Sequence, residues 1–144
     1  MESVEVRLAS ALAIGLLIGV ERERRKGEGL HRGTAGVRTF VIVALLGAVS
    51  AILRNEFLLA AGGAFVGLAA VVGYAVNDRS DPGLTTEVSL MLVYCLGALA
   101  MVEVQVAIGI GVVAAALLAF RARLHAAVRG WFSDDELRDG IVLA

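Results

Sequence analysis

The sequence predicts an all-α fold, a polytopic transmembrane bundle of about five spans followed by an amphipathic C-terminal segment. The 144-residue chain is 58% hydrophobic, with a mean hydropathy of +0.82, whereas soluble domains are about 45–50% apolar. Its charged residues form a few clusters separated by long neutral runs. Each run approaches the roughly 20 apolar residues that a spanning helix needs, so the chain is predicted to cross a lipid bilayer several times.

Five apolar runs define the predicted spans. Their bounds are Val4–Val20, Thr39–Leu53, Phe57–Val76, Thr86–Val102 and Val104–Phe120. The second and third are joined by RNE, and the fourth and fifth meet around VEVQ, so each pair is predicted to form a tight helical hairpin. Residues 1–120 are therefore the predicted transmembrane domain. The chain opens without a basic segment or a small-residue cleavage motif, so we expect the first run to remain in the mature protein.

Residues 121–144 are predicted to be an interfacial helix and the start of a further helix. Leu124, Val128 and Trp131 lie on a basic background, a pattern suited to the membrane interface. Ser133 and Glu136 then have the spacing of a capping box. The apolar end of this helix suits either the first turns of another span, in a longer protein, or a short peripheral helix.

The distribution of basic residues predicts the orientation. All Lys and Arg residues except Arg7 and Arg54 fall on one side of the five-span arrangement, most densely between Glu21 and Arg38. Short cytoplasmic loops carry an excess of Lys and Arg. We therefore expect a multi-pass protein of the bacterial inner membrane with its N-terminus outside and its C-terminus in the cytoplasm.

Small residues recur four positions apart on two helices. Gly15 and Gly19 share a face of the first span, and Gly63 and Gly67 share a face of the third. Such pairs let helix backbones approach closely in lipid. We expect them to pack within the bundle, with a homodimer face or another membrane protein as the alternative.

Glu21 is the first candidate for a functional residue, because ionisable groups at the membrane are expensive and mark function when a partner is present. It follows the first apolar run directly and shares a face with Arg25, its i+4 partner. The alternative is a helix end in water where the two side chains form an ordinary exposed pair. Arg22 lies on the glycine face instead. We predict that Glu21→Gln impairs function more than Glu23→Gln.

Arg38 is the second candidate. It opens the second span after GTAG, and Thr34 or Thr39 is expected to cap that helix. A cation at a helix N-terminus opposes the helix dipole, so we expect Glu21 to be its partner across the loop. Simple snorkelling of Arg38 to the surface is the alternative.

Further oxygen ligands cluster on the predicted cytoplasmic side. Glu87, beside Thr86 at the head of the fourth span, is expected to cap that helix or to form the polar end of a groove. Asp78 and Asp81 lie in the preceding loop. Hard oxygen ligands suit Mg²⁺, which often takes only one or two carboxylates. Neighbouring arginines can neutralise these acids instead, so the metal is left open and no other cofactor is expected.

Several functional classes lack support in the sequence. GxSxG, HExxH, P-loop and GxGxxG motifs are absent, so we do not expect an enzyme. The net charge is only −1, which gives no basic field for nucleic acid. His31 and His125 lack the spacing of metal ligands, and the lone Cys95 excludes an internal disulfide. The expected partner is the lipid bilayer.

The stretches GLLIGVERERR and GTAGVRTFVIVALLGAVSAIL resemble the MgtC/SapB family of bacterial inner-membrane proteins. They share a Gly-x-x-x-Gly-x-Glu-Arg run leaving the first helix and a Gly-x-Arg-Thr entry to the second. The segments DPGLTTEVSLMLVYCLGALAM and ELRDGIVLA are similar to a longer-chain branch with a second multispan half. The matched motif positions are Glu21, Arg22, Arg25, Gly36, Arg38 and Thr39.

This resemblance implies a polytopic domain associated with magnesium homeostasis and, in some pathogens, with survival inside host cells. The soluble C-terminal domain of the best-known members has no counterpart in these residues, so its role is not transferred. We expect Glu21 and Arg38, with Glu87 joining them, to form a site that binds or transports a small ion or polar solute, or that acts as a polar switch by exchanging partners. The alternative functions are a non-transporting regulatory subunit that docks onto another membrane protein, and a structural half whose activity needs a further segment.

Overall fold

The computed structural model describes residues 2–25, 35–76 and 84–120. The predicted all-helical fold is confirmed, since these ranges contain five helices and no strand. The helices are α1 (Val4–Arg25), α2 (Val37–Ile52), α3 (Glu56–Val76), α4 (Thr85–Ala100) and α5 (Val104–Ala119). The predicted interfacial segment at residues 121–144 lies outside the described residues.

The first two helices differ from the predicted spans at the charged ends. α1 continues past Val20 to Arg25, because Glu and Arg are good helix formers and these polar residues continue the helix that the apolar run begins. α2 begins at Val37, before the predicted Thr39, with Gly36 as its N-cap. Apolar runs therefore locate helices in this chain but underestimate their polar ends.

The predicted hairpin between α2 and α3 is a tight turn. Arg54 has a φ of 51°, the left-handed conformation in which many helices end. Asn55 then caps α3, accepting a hydrogen bond from the Leu58 amide to its Oδ1 at 3.1 Å. One residue ends α2 and the next starts α3, which reverses the chain direction at once.

α4 is the central helix. It packs against all four others, which surround it in the order α3, α2, α1, α5, and among the described helices α3 and α5 do not touch. Arg7 near the start of α1 reaches the end of α4, and Arg22 near the end of α1 reaches its start. α1 and α4 are therefore antiparallel, and successive helices alternate in direction.

Glycines bring α1 close to α2. A Cβ added at Gly15 would lie 2.9 Å from the Cβ of Ala44, and one added at Gly19 would lie 3.1 Å from the Cβ of Phe40. These distances leave little or no room for a side chain. Phe40 and Ile18 are fully buried beside this contact, so the core lies where α1, α2 and α4 meet.

The closest helix crossing lies elsewhere, between α2 and α4, and the sequence did not indicate it. A Cβ at Gly97 would overlap the carbonyl oxygen of Ala44 and lie 2.8 Å from its carbonyl carbon. A Cβ at Gly47 would overlap the carbonyl oxygen of Tyr94 in turn. The two backbones are thus in direct contact, and only glycine fits on either side.

α3 joins the bundle through the ring of Tyr94. The Tyr94 hydroxyl donates a hydrogen bond to the Leu59 carbonyl at 2.6 Å. Added Cβ atoms would lie 2.6 Å from that hydroxyl at Gly62 and 3.3 Å from the ring at Gly63, whereas one at Gly67 would make ordinary contact with Met91. The α3 glycines therefore form a shallow seat for a large side chain of α4.

Most of α3 faces outward and is apolar. Among the described helices α3 alone is both long and apolar enough to cross a bilayer, and 11% of its most apolar window is buried. Phe57, Phe65 and Val76 are more than half exposed. α2, α4 and α5 are apolar but have 16 residues each. The number of spans stays a prediction.

Candidate functional site

The centre of the candidate site is a hydrogen bond between α1 and α4. The Arg22 Nη2 group donates to Oγ1 of Thr86 in the first turn of α4. Arg22 continues the buried stripe of α1 that includes Ala11, Gly15 and Ile18, since positions three or four apart share a helix face. The bundle thus directs a guanidinium toward the start of its central helix.

Glu21 precedes Arg22 in α1 and is largely buried. Its side chain is 16% exposed, and a carboxylate oxygen lies 3.9 Å from Nη1 of Arg24, which is 77% exposed. This is an i,i+3 ion pair, and the predicted i,i+4 pair with Arg25 stays a prediction. The side chain of Arg25 lies outside the described residues.

Glu87 occupies the third position of α4 without capping it. Leu84 is the N-cap and no side chain caps the helix start, so the capping role expected for Glu87 is not observed. Its Oε2 atom is buried, and no group in the described part of the chain donates a hydrogen bond to it. Burial of an unsatisfied oxygen costs free energy. We call Glu21, Arg22, Thr86 and Glu87 the polar junction.

Among the described residues, no hydrogen bond or ion pair joins Arg38 or Thr39 to the polar junction. Both are exposed, and within the described ranges no ion pair joins Arg38 to Glu21. The carboxylate near the start of α2 is instead that of Glu23, whose Oε2 lies 3.4 Å from the position of a Cβ added at Gly36. Glu21 and Glu23 project about 200° apart on α1, so they cannot both serve one neighbour.

Thr39 does not cap α2 either. Gly36 is the N-cap and makes no side-chain hydrogen bond, and the Thr39 amide donates to the Gly36 carbonyl at 2.9 Å. Thr34, Asp78 and Asp81 lie outside the described residues, so their predicted roles stay predictions. Within the described ranges no group of three or more His, Cys, Asp or Glu side chains is placed to hold a metal ion.

A second arginine of α1, which the sequence did not single out, forms a contact at the opposite end. Arg7 Nη1 donates to the carbonyl oxygen of Met101, at the C-terminal end of α4. A cation at this position complements the helix dipole. The signal in the sequence was the spacing: Arg7 and Arg22 lie on one stripe of α1 and are as far apart as Met101 and Thr86 on α4.

Between these two polar ends the described interior is apolar. The core consists mainly of small and branched side chains, and a groove of about 380 Å³ runs along the outside between α1 and α5. Ala9, Ala13 and Val112 are among the residues that line it. A few hydroxyls interrupt this apolar region, among them Ser10 in the groove and Tyr94, which donates to the Leu59 carbonyl, so charged partners for a ligand lie at the ends of the described bundle.

These features define a class: an outwardly apolar helical bundle with its ionisable groups at its two ends. Comparison with known proteins agrees with this class and specifies it. The chain belongs to the MgtC family, whose model matches residues 8–127. No curated protein and no solved structure matches the chain. The resemblance seen in the sequence is thereby confirmed, and the chain is a membrane protein of the MgtC type.

Proposed function

We propose that this chain is a multi-pass protein of the bacterial inner membrane that binds a small ion or polar solute at the polar junction. The observation that carries the proposal is the buried Oε2 of Glu87, which receives no hydrogen bond from the described residues. A carboxylate oxygen in that state is stabilised by any ligand that brings a positive charge or a donor. Thr86, the residue before Glu87, supplies a hydroxyl oxygen, and its partner Arg22 is the neighbour in sequence of the largely buried Glu21.

The ligand we propose first is hydrated Mg²⁺. The ion prefers oxygen ligands, retains several waters and commonly uses one or two carboxylates, which suits a site without a dense acidic cluster. Association with magnesium homeostasis is also what the MgtC resemblance implies. Arg22 and Arg24 oppose a bare cation, so we expect weak binding in which waters separate the ion from the guanidinium groups.

Ligand-dependent stability tests this proposal. The protein in lipid nanodiscs is unfolded thermally with increasing MgCl₂, against choline chloride at equal ionic strength. A ligand that binds only the folded state adds about 2.7 kcal/mol when its concentration is a hundred times Kd. We expect Glu87→Gln to abolish the magnesium-specific stabilisation. The matched control is Glu103→Gln, since Glu103 is exposed at the opposite end of the bundle.

Two outcomes would overturn this assignment. One is an equal response to magnesium in wild-type protein and Glu87→Gln. The other is a response to MgCl₂ no larger than that to choline chloride. Glu23→Gln is unsuitable as a control, although the sequence suggested it, because the Glu23 carboxylate approaches the start of α2.

A non-transporting regulatory subunit is the second candidate. Transport needs a polar path through the bundle. The α2 and α4 backbones instead touch at Gly47 and Gly97, and the described interior is apolar, which favours this candidate. The small residues of the α1–α5 groove suit a helix of another membrane protein. Flux of Mg²⁺ into proteoliposomes separates the candidates: uptake that Glu87→Gln removes supports transport, and magnesium binding without uptake supports the regulatory subunit.

A further inference from the structure

α3 extends beyond the polar junction. Gly67 lies level with Met91, because a Cβ on Gly67 would contact the Met91 sulfur at 3.5 Å. α3 and α4 are antiparallel, so five further residues along α3 bring Val72 level with Thr86. The contact of Gly62 with the Tyr94 ring places that level two residues earlier, at Ala70. α3 continues to Val76, which is about 6–9 Å past the polar junction at 1.5 Å per residue.

The other end of α3 is flush with the bundle. The register of Gly62 with the Tyr94 ring brings Asn55, at the start of α3, level with Met101 and the Arg7 contact. The whole excess length of α3 therefore projects on the side of the polar junction. The projecting residues are apolar or aromatic and more than a third exposed at Val72, Tyr74 and Val76.

The spacing of the two α1 arginines and the length of α3 would suit bilayers of different thickness. Arg7 and Arg22 are fifteen residues apart, about 22 Å along α1, whereas Phe57–Val76 of α3 measures about 30 Å. A typical hydrocarbon core is about 30 Å thick. Exposed Tyr74, near the end of α3, is the residue type that anchors at the interface.

We infer that the polar junction lies about 6–9 Å below the membrane surface, in a recess bounded on one side by the last turns of α3. This inference rests on the proposed membrane insertion and specifies what can reach the site. A ligand leaves bulk water before it meets Glu87, so small ions and solutes fit and folded macromolecules do not. The apolar end of α3 contacts lipid up to the membrane surface. The helices α1, α4 and α5 become polar or end deeper in the membrane.

Spin-label depth measurements test the recess. Single cysteines replace Val72, Val76, Val88 and Val102 in a Cys95→Ala background, and all four positions are more than half exposed. Each full-length variant is reconstituted in phosphatidylcholine bilayers. Collision with oxygen and with a water-soluble nickel chelate then reports the depth of the label. We expect the labels at Val76 and Val102 at opposite boundaries, and those at Val72 and Val88 about 6 Å and 9 Å below Val76.

Three results decide the matter. The expected depths support the recess. A bilayer thinned to the arginine spacing would instead place Val72 and Val88 at the boundary and Val76 in water, which overturns the recess but leaves membrane insertion intact. Labels that all collide with the chelate as freely as a label in water would overturn membrane insertion itself.

Discussion

Gly97→Ala tests the α2–α4 crossing on which the bundle depends. The new Cβ would overlap the Ala44 carbonyl oxygen and lie 2.8 Å from the carbonyl carbon. Because the obstacle is backbone rather than a side chain, it cannot rotate away. Overpacking of this kind costs about 1–3 kcal/mol, and the upper end of this range applies because the backbone cannot yield. Replacing glycine in a helix returns about 1 kcal/mol, so we expect a net loss near 2 kcal/mol, roughly a 30-fold shift in the folding equilibrium.

The matched control for this substitution is Gly109→Ala. Gly109 is also helical, but a Cβ there would meet no atom within 4 Å, so the variant should gain about 1 kcal/mol from helix propensity alone. Both variants are unfolded in mixed micelles with increasing denaturing detergent, and helix content is followed by circular dichroism. Equal stability of the two variants would refute the backbone contact.

Three further substitutions test other contacts by the same unfolding assay. Tyr94→Phe removes the 2.6 Å hydrogen bond to the Leu59 carbonyl and should cost about 1 kcal/mol; an unchanged midpoint would show that the ring alone holds α3. Arg54→Gly relieves a left-handed backbone and should stabilise by about 0.5–1 kcal/mol, whereas Arg54→Ala should not. Arg7→Met removes the charge at the C-terminal end of α4, beside Met101, and should cost about 1–2 kcal/mol; a loss in 1 M salt as large as in low salt would indicate packing rather than charge.

The number of helices and the hairpins were predictable from the sequence. Long apolar runs separated by charges determine where helices form in lipid, and the three-residue connection after α2 left room only for a tight turn. The polar end of α1 was not predicted, because hydropathy does not distinguish a charged helical turn from a charged loop. Gly47 and Gly97 were missed for a different reason: each meets a backbone from another helix, and spacing within one helix does not report that contact.

The candidate site was predictable in composition but not in pairing. Glu21, Arg22, Thr86 and Glu87 were all identified, because each follows or opens an apolar run. The proposed pairing of Glu21 with Arg38 relied on closeness along the chain, whereas the helix faces place Glu23 near the start of α2. Arg22 was ranked below Glu21, although its place on the buried stripe directs it toward α4. Which side chains pair depends on how neighbouring helices are aligned, and a single sequence does not show that alignment.

The proposed function depends on binding of the ligand by the Glu87 carboxylate in the polar junction. Infrared difference spectroscopy of the protein in nanodiscs, before and after addition of MgCl₂, observes carboxylate groups directly. We predict a carboxylate band that shifts in wild-type protein and in Glu103→Gln and is absent in Glu87→Gln. The same shifted band in all three proteins, or none in the wild type, would show that Glu87 does not bind the ion.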